Sequence, residues 1–591
     1  MTRATAGHST ATNATDGDRS TPVPGDLGRF VEARAIAADD VAAATMLVGM
    51  ARRGSPALDP SLLAWIAMCL ALRAPRDGHT CVDFSAVNDW AGDIDFSQEG
   101  HLEWPADTAA WTAALASAGP LVGGPEDRAP FILDGTRFFI ARSFHEEREI
   151  AARLGREDGA AVEILLGGPG TGKTTKVATR LIALLSDRPD ASIALAAPTG
   201  KAAARMAEAL QQRLHDEKAP DDIRNAPREI REKLANLRPL TIHKLLGYRP
   251  HGTPRYRFRA DNRIDHGFVV IDEASMLSSS LMHRLLAALG ENTRLLLVGD
   301  PDQLASVDAG TVLGDIAKAA AKPGSRLASR TETLTIRHRF GPRIGALADA
   351  ILEPAGAGVA RVFEILEGRW APPPNPFNTK PDDPKAIRWI EPGSEAAAHL
   401  FDEVAGHAER LRDLATKHEV ATVLAAQKKL QVLCAHRAGA AGVAGWNTRV
   451  EKRLGVAGGP AWYPGRPIMV ARNNPALDLF NGDVGITVPG ADGRLDVAFS
   501  GAKGEPRRVA VSRLEEVDTV HALTIHKSQG SEYEHVVVVL PTQAGRIVTQ
   551  ELLYTAVTRA SDRVTLVGSR EVIEAAIRKP IRRATGLSER L

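Results

Sequence analysis

VEILLGGPGTGKTT, residues 162–175, is the stretch that decides the fold of this chain. The run VEILL precedes a glycine-rich loop, and the helical pattern TTKVATRLIALL follows it. A strand, the spacing G-x-x-x-x-G-K-[ST] and a helix, in that order, form a phosphate-binding loop in the context that its chemistry requires. We therefore predict a parallel α/β sheet whose first loop binds a nucleoside triphosphate.

The residue types in this loop suit phosphate. Its glycines allow the backbone to wrap with its N–H groups pointing inward. We predict that Lys173 reaches the β and γ phosphates of ATP and that the Thr174 hydroxyl ligates Mg²⁺. The predicted nucleotide-binding set is Gly167, Gly168, Pro169, Gly170, Thr171, Gly172, Lys173, Thr174 and Thr175.

Further apolar runs follow the loop, each succeeded by a helical pattern: SIALAAP, GFVVIDE and RLLLVGD. Strands that alternate with helices indicate a mostly parallel sheet. Asp272 and Glu273 end one such run, where the first carboxylate can hold magnesium and the second can polarise the attacking water. Gln303 lies just beyond another run, where an amide can sense a γ-phosphate. An ordinary acidic pair at a strand end is the alternative for the two carboxylates.

The rest of the chain predicts further domains. The runs ATVLAA, HVVVVL and RVTLVG indicate a second α/β domain, and the proline-rich WAPPPNPFNTKPDDP indicates a linker. Alternating runs with Gly and Asp turns predict a small β barrel or meander near 465–517, and the charged stretch 208–236 predicts an exposed helical insertion. Ala-rich apolar periodicity predicts helices between 30 and 121. The predicted regions are a disordered tail at 1–25, a helical domain at 26–128, a first motor domain at 129–330, a second at 331–464 and 519–591, and a β insertion at 465–518.

Composition excludes several classes. The 591 residues carry 73 Lys plus Arg against 72 Asp plus Glu, and 44% are hydrophobic, which is ordinary for a multidomain globular protein. No run reaches the length of a membrane helix, and the first 25 residues lack the apolar core of a secretory signal. Three scattered cysteines, Cys69, Cys81 and Cys434, argue for a reducing compartment. We expect a cytoplasmic protein.

The order of the remaining motifs resembles that of superfamily 1 helicases. After the loop come AAPTGKAAARM at 196–206, TIHKLLG at 241–247, VIDEASM, LVGDPDQL, HRF at 338–340, LTIHKSQGSEY at 523–533 and YTAVTRA at 554–560. The variants LFNGDVGI, TIHKSQGSE and LLYTAVTRA look like the RecD family, the alpha subunits of exodeoxyribonuclease V. The resemblance covers about 70% of the chain, and the N-terminal region is loosely similar to the RecD segment that docks on partner subunits.

This resemblance implies an α/β fold of two RecA-like P-loop motor domains, with an N-terminal helical partner-docking domain and an SH3-like β-barrel insertion. It implies catalytic roles for Lys173, Glu273 and Gln303, a magnesium role for Asp272, and cationic fingers at Arg339 and Arg559. It also implies that a single DNA strand is gripped near five residues. These are Pro198, Thr199, His243, Thr524 and His526.

Purely structural interpretations of the same residues remain open. Taken alone, each arginine could form a surface ion pair, His526 and Lys527 could lie in a solvated turn, and the β insertion could be purely structural. The stretch SFHEEREIAARL, residues 143–154, lacks the glutamine that family members often place before the phosphate loop to read adenine. Selectivity for adenine is therefore not predicted.

Three functions are open at this point. The resemblance favours an ATP-dependent 5′–3′ DNA helicase that works with RecB-like and RecC-like subunits on DNA double-strand ends. A free-standing RecD-like helicase is the second possibility, although the N-terminal region here is shorter than in those relatives. A regulatory P-loop subunit with weak ATPase is the third, and the presence of Lys173, Glu273, Gln303 and Arg559 argues against it.

Overall fold

The computed structural model describes residues 24–87, 107–156, 162–337, 339–372, 382–417, 419–490, 492–501 and 505–591. The chain divides into two compact units, one reaching to Asp77 and resuming over Cys81–Phe144, the other made of Gly78–Thr80 and His145–Leu591. The tail expected at 1–25 lies almost wholly outside the described residues, as do His338 and most of the proline-rich linker.

The first unit combines helices with a sheet. Its helices are Leu27–Glu32, Ala38–Arg52, Leu62–Arg73 and Thr108–Leu115. Its strands are β1 (Cys81–Asp83), β2 (Val122–Gly123), β3 (Phe131–Asp134) and β4 (Arg137–Ile140), in the order β1-β4-β3-β2. The expectation of helices alone at 26–128 was incomplete, because β1 and β2 lie within that range. The strands β3 and β4 lie in the span assigned to the first motor domain and form a hairpin across the turn at Gly135, which has φ +61°. The unit ends near Phe144 and not at residue 128.

A six-stranded parallel sheet forms the first part of the second unit. Its strands are β5 (Val162–Gly167), β6 (Ile193–Ala197), β7 (Leu240–Thr241), β8 (Phe268–Ile271), β9 (Arg294–Gly299) and β10 (Thr331–Leu334). Their order is β10-β5-β9-β8-β6-β7. Apolar clusters cover both faces of this sheet, which explains why its strands read as continuous apolar runs.

Helices connect these strands. They are Ala141–Leu154, Lys173–Asp187, Gly200–His215, Asp221–Arg224, Arg228–Ala235, Ile242–Leu245, Ser279–Ala288 and Val312–Ala320. The helix Lys173–Asp187 buries Val177, Leu181 and Leu185, spaced four residues apart on one face. The charged insertion at 208–236 is helical as expected, but Ile223 and Leu234 anchor it in the core beside the sheet.

A second parallel sheet has five strands in the order β11-β20-β19-β12-β18. They are β11 (Ile387–Ile390), β12 (Leu430–Cys434), β18 (Ala522–Thr524), β19 (Tyr533–Val539) and β20 (Ala560–Val567). The expected strand ATVLAA is wrong, because it lies in the helix Val420–Gln427 and the strand follows it as β12. Short apolar runs do not distinguish a buried helix from a strand by periodicity. The remaining helices are Pro342–Leu352, Ala355–Leu366, Glu395–Thr416, Val443–Arg453, Gln550–Val557, Arg570–Arg578 and Leu587–Arg590.

An antiparallel sheet of five strands interrupts the second parallel sheet between β12 and β18. Its strands are β13 (Pro467–Val470), β14 (Val484–Pro489), β15 (Leu495–Ser500), β16 (Pro506–Ala510) and β17 (Val517–Thr519), in the order β16-β15-β14-β13-β17. Its inward residues, among them Ile468, Val497 and Phe499, form a small core of their own.

Cys69, Cys81 and Cys434 are buried. Burial raises the pKa of the Cys69 and Cys434 thiols to about 12. Within the described ranges, no helix combines the length and apolar character needed to cross a lipid bilayer.

Candidate functional site

The phosphate loop connects β5 to the helix Lys173–Asp187. Gly170 and Gly172 adopt φ +77° and +86°, a backbone region that L side chains rarely enter, so the turn depends on glycine at both positions. The Lys173 Nζ donates to the carbonyl oxygens of Gly167 at 2.6 Å and Gly168 at 3.0 Å. The loop therefore folds around the lysine and points a helix N-terminus at the same space, an arrangement suited to phosphate.

Asp272 and Glu273 follow β8 at the same edge of the sheet. Asp272 donates its backbone N–H to Ala196 at the end of β6, and Glu273 has φ +51°, a strained region for a residue with a Cβ. Burial, reinforced by the neighbouring Glu273, raises the pKa of Asp272 to about 6, while Lys173 opposes the shift. Two carboxylates and an ammonium thus share one half-buried corner.

Gln303 lies in the loop that follows β9 and is buried. Its side-chain amide donates to Asp300 at 2.9 Å, and the Tyr554 hydroxyl donates to the same carboxylate at 3.1 Å. Tyr554 belongs to the helix Gln550–Val557 beside the second sheet. A Cβ placed on Gly168 would lie 2.9 Å from the Tyr554 hydroxyl oxygen, so Tyr554 also contacts the phosphate loop. The loop after β9 is therefore held by a hydrogen bond of its own and by one from a helix beside the second sheet.

Arg339 comes from the segment between the two sheets and lies directly over the phosphate loop, because a Cβ on Gly170 would overlap the Cβ of Arg339. Its guanidinium pairs with Glu532 at 2.9 Å, and Arg205 pairs with the same carboxylate. Burial lowers the pKa of Arg339 to about 10, and Glu532 opposes the shift. The arginine stays charged at neutral pH.

Arg559 follows the helix Gln550–Val557 and is 2% exposed. Its Nε donates to the Thr555 carbonyl at 3.1 Å, whereas its Nη2 has no hydrogen-bond partner among the described residues. Burial lowers its pKa, and Glu273 is the strongest of the nearby charges that raise it. A buried guanidinium N–H without a partner, close to Glu273, is poised to bind an anion between the two sheets.

The oxygen donors present fit a magnesium ion. The described residues contain no group of three or more His, Cys, Asp or Glu side chains arranged as a metal cage. Mg²⁺ does not need one, since it is usually held by one or two protein oxygens, by waters and by substrate phosphates. Asp272 is a half-buried carboxylate whose raised pKa shows that its charge is destabilised, and a cation beside it would lower that cost. Thr174 lies in the first turn of the helix after the loop.

Three of the expected strand-binding residues follow the first sheet. Pro198 and Thr199 come directly after β6, where the Thr199 hydroxyl accepts from the Ala202 N–H and caps the helix Gly200–His215. His243 follows β7, and its ring packs 5.5 Å from that of the exposed Tyr248. Phe480, from the antiparallel sheet, joins the two places, since it contacts Gly200 and lies 4.8 Å from the Lys244 ammonium.

The other two residues lie at the end of β18 of the second sheet and just beyond it. Thr524 is buried, and its hydroxyl accepts from the Lys527 N–H at 3.4 Å. His526 is exposed, while Lys527 pairs with Asp518 at 2.8 Å. All five residues therefore lie at or just beyond the carboxyl ends of parallel strands, three on one sheet and two on the other.

Sequence reasoning missed several residues of this site. Arg205 and Glu532 stand inside motifs quoted above, so their positions were available but their pairing across the two sheets was not. Tyr554 also stands in a quoted motif, and only the fold places its hydroxyl on Asp300. Phe480 lies within LFNGDVGI, and no local pattern indicates that it covers Gly200.

Three family models match the chain. They are described as "RecBCD enzyme subunit RecD, N-terminal domain" at residues 32–139, "AAA domain" at 156–309 and "UvrD-like helicase C-terminal domain" at 519–567. The first covers most of the described first unit, and the other two cover the phosphate loop and the end of the second sheet.

Curated relatives align over most of the chain. The RecBCD enzyme subunit RecD of Mycolicibacterium smegmatis is 40% identical and covers 90% of this chain and 94% of its own. That of Mycobacterium tuberculosis is 37% identical over 98% of both chains. The ATP-dependent RecD2 DNA helicase of Deinococcus radiodurans is 30% identical over 75% of this chain and 52% of its own.

Proposed function

Because this chain belongs to the RecD family of RecBCD enzyme subunits, we propose that it translocates 5′–3′ on single-stranded DNA as one subunit of a complex that unwinds and processes double-strand ends for recombination repair. The chain is an ATP-dependent DNA helicase of superfamily 1. The direction of travel, the partner subunits and the individual residue roles are the parts proposed here.

The observation that carries the proposal is the composition of the cleft between the two parallel sheets. One side supplies the phosphate loop, Lys173 and Glu273, and the other supplies the buried Arg559 with an unpartnered N–H. An ATPase that moves a strand needs this division, since each round of binding and hydrolysis must close and open the two sides. The charges that meet here favour closure around a triphosphate.

Each residue then has a role in hydrolysis. Lys173 and the loop N–H groups hold the β and γ phosphates, and Glu273 orients and activates the attacking water. Arg559 and Arg339 stabilise the negative charge that develops on the transferred phosphoryl oxygens. Gln303, bonded to Asp300, reports the presence of the γ-phosphate.

Magnesium would be held by the Thr174 hydroxyl and, through its water shell, by Asp272. When bound, the ion neutralises charge on the β and γ oxygens. Asp272 contributes an ionised carboxylate, and the nearby Lys173 ammonium favours that charged form.

A single strand would lie across the carboxyl edges of both sheets, on Pro198, Thr199 and His243 of one and Thr524 and His526 of the other. Opening and closing of the cleft would change the spacing between these two groups of strand-binding residues and move the strand in steps. The exposed Tyr248 beside His243 adds an aromatic face on which a base can stack.

The partners we propose are DNA and RecB-like and RecC-like subunits. The family match over residues 32–139 supports docking through the first unit. The same membership supports a cytoplasmic protein. We further propose that the antiparallel sheet is the SH3-like insertion at 465–518 between the two parts of the second motor domain, at 331–464 and 519–591.

Strand displacement tests the motor and its direction. Purified chain is given ATP, Mg²⁺ and a duplex with either a 5′ or a 3′ single-stranded tail. Unwinding from the 5′ tail alone is expected, and Lys173→Gln is expected to abolish it. Lys176→Gln is the matched control, because Lys176 lies three residues further on and pairs with Glu332 at the surface.

Three results contradict parts of the proposal. Unwinding from the 3′ tail would overturn the direction of travel. ATP hydrolysis that no DNA strand stimulates, in the chain alone and with copurified partner subunits, would favour a regulatory P-loop subunit. Full processive unwinding without partners would favour a free-standing helicase like RecD2, of which this chain spans about half.

A further inference from the structure

We propose that Arg583 is a positioning residue that couples the γ-phosphate sensor to the strand-binding face, by holding the loop that links them. This inference rests on the proposed function, which it deepens. We call residues 300–310 the sensor loop and residues 579–591 the return segment.

The return segment leaves the last helix beside the second sheet and packs against the first. It begins after the helix Arg570–Arg578, and Leu587, which is fully buried, joins the core beneath the first sheet. The Thr585 hydroxyl donates to Asp315 at 3.0 Å, and the Gly586 N–H donates to the buried Glu147 at 3.0 Å. Before Arg583, the Ile581 N–H donates to Glu551 at 2.8 Å, so the segment is fixed on both sides of Arg583.

Arg583 binds the far half of the sensor loop through its whole guanidinium fork. Its Nη1 donates to the carbonyl oxygens of Asp308 at 2.8 Å and Gly310 at 3.0 Å, and its Nη2 donates to the Ser306 carbonyl at 2.5 Å. The Ser306 hydroxyl donates to the Asp308 carbonyl at 2.7 Å from within the loop. A planar group that bonds three carbonyls fixes a backbone shape that a point charge cannot.

The near half of the same loop is bonded to the second sheet's motifs. The Leu304 N–H donates to the Thr555 hydroxyl at 3.1 Å, and the Leu304 carbonyl accepts from Gln529 at 3.1 Å. Gln303 itself donates to Asp300. Any change in the spacing of the two sheets around a γ-phosphate would therefore pull on this loop at Leu304, while Arg583 holds its other end.

The loop presents an apolar tip at the held end. Val307 is 88% exposed, although the loop around it is otherwise hydrogen-bonded. Asp308, its neighbour, is close enough to His243 to oppose the fall that burial causes in the pKa of that imidazole. Val307 precedes Asp308, whose charge acts on a residue that we place on the strand, and Val307 is the tip that a moving loop would press against the bases.

Arg583 has no part in the phosphate site, which separates this role from catalysis. Its bonds go to backbone carbonyls three to seven residues beyond Gln303. If Arg583 holds the loop, its loss should weaken the response of ATP hydrolysis to DNA more than hydrolysis itself.

The test compares Arg583→Ala and Arg583→Lys in the full chain with Arg578→Ala, an exposed arginine five residues earlier. Hydrogen exchange of residues 304–311 measures how firmly the sensor loop is held. ATP hydrolysis with and without oligo(dT) measures the coupling between DNA binding and the ATP site. We expect faster hydrogen exchange of this loop in both Arg583 variants. The stimulation ratio, which is the ATPase rate with oligo(dT) divided by the rate without it, should fall by about fivefold or more. Arg578→Ala should show neither change. Arg583→Lys keeps the charge and most of the buried volume, so it serves if Arg583→Ala does not fold.

The outcomes separate this inference from the proposed function. A stimulation ratio that is unchanged in both Arg583 variants overturns the coupling role alone. Equal falls in the DNA-free and DNA-stimulated rates also overturn it, since the loop would then serve only the ATP site. Wild-type hydrolysis that does not respond to oligo(dT) overturns the proposed function together with the coupling role.

Discussion

The two parallel sheets of the second unit share one architecture but differ in the ionisable groups that they carry. The first gathers ionised groups at its carboxyl edge, where Lys173, Asp272 and Glu273 meet. The second contributes Arg559 to that cleft and otherwise buries neutral imidazoles such as His521. A repeated fold therefore does not imply a repeated site, and the chemistry follows the few residues that end each strand.

The pKa values of five buried groups, two carboxyls beside the first sheet and three imidazoles beside the second, are shifted in opposite senses. Burial raises the pKa of Glu147 to about 7 and of Asp315 to about 6 beside the first sheet. Burial lowers the pKa of His407 to about 4, His521 to about 3 and His535 to about 4 beside the second. All five shifts favour the neutral form of the group, as expected for sites removed from water.

Of these changes, Arg559→Ala should have the largest effect on ATP hydrolysis, because it removes the cation that the second sheet contributes to the cleft. We expect kcat for DNA-stimulated ATP hydrolysis to fall by about 10³-fold with little change in nucleotide affinity. Arg563→Ala, an exposed arginine four residues on, is the matched control. A large rise in KM with unchanged kcat would contradict a role in the transition state.

Glu273→Gln tests the first sheet's side of the cleft. Without a carboxylate to activate water, kcat should fall by about 10²-fold while ATP still binds. Glu163→Gln changes a carboxylate at the other end of the same sheet, where it pairs with Arg294 at 2.5 Å. That control should hydrolyse ATP at the wild-type rate, and equal losses in both variants would point to a general destabilisation of the sheet.

Acidification should separate the stabilities of the two sheets. A histidine whose folded pKa is lowered loses its stabilising contribution as pH falls through the unfolded value near 6.5. Between about pH 7.5 and pH 5.5 each of the three histidines should cost about 1 kcal/mol. Glu147 and Asp315 act in the opposite direction, since a carboxyl with a raised folded pKa stabilises the fold as it becomes protonated.

Hydrogen exchange, corrected for its intrinsic pH dependence, measures this separation. Protection of β12 and β19 should fall on acidification while that of β8 and β9 holds or rises. His521→Gln should reduce the loss in the second sheet, whereas His399→Gln, at an exposed histidine, should leave it unchanged. Equal losses in both sheets would contradict the opposite shifts.

The smallest effect is expected for Lys176→Gln at the surface of the first sheet. Lys176 and Glu332 pair at 2.9 Å, and both side chains are substantially exposed. Exposed pairs of this kind contribute under about 1 kcal/mol. Urea unfolding should show no larger change, and ATP hydrolysis should match wild type, so the contrast with Lys173 three residues earlier is a contrast of place and not of residue type.

The strand ends of the first sheet could be predicted from sequence because each carries a motif with its own spacing. The loop at 167–175 and the acidic pair after β8 lie where the patterns placed them. ATVLAA could not be assigned by pattern, since an apolar run of that length packs equally well as a helix. The β3–β4 hairpin lies beyond the helical periodicity, in the span that was assigned to the first motor domain, because no motif marks the end of the first unit.

Contacts between the sheets could not be predicted at all. Arg205 with Glu532, Tyr554 with Asp300 and Arg583 with the sensor loop join residues 254 or more positions apart. Neither propensity nor periodicity carries information at that range, and only the packed fold brings such groups together. The sequence therefore predicted which residues end the strands, and the fold shows which of them meet.

The buried thiols have a practical consequence for following the motor at work. Maleimide dyes react with exposed thiolates, and Cys69, Cys81 and Cys434 are all buried. A dye added to Val307→Cys should therefore label one position in a chain that keeps its native cysteines. A second label on a DNA strand would turn the tip of the sensor loop into a distance probe for each step of translocation.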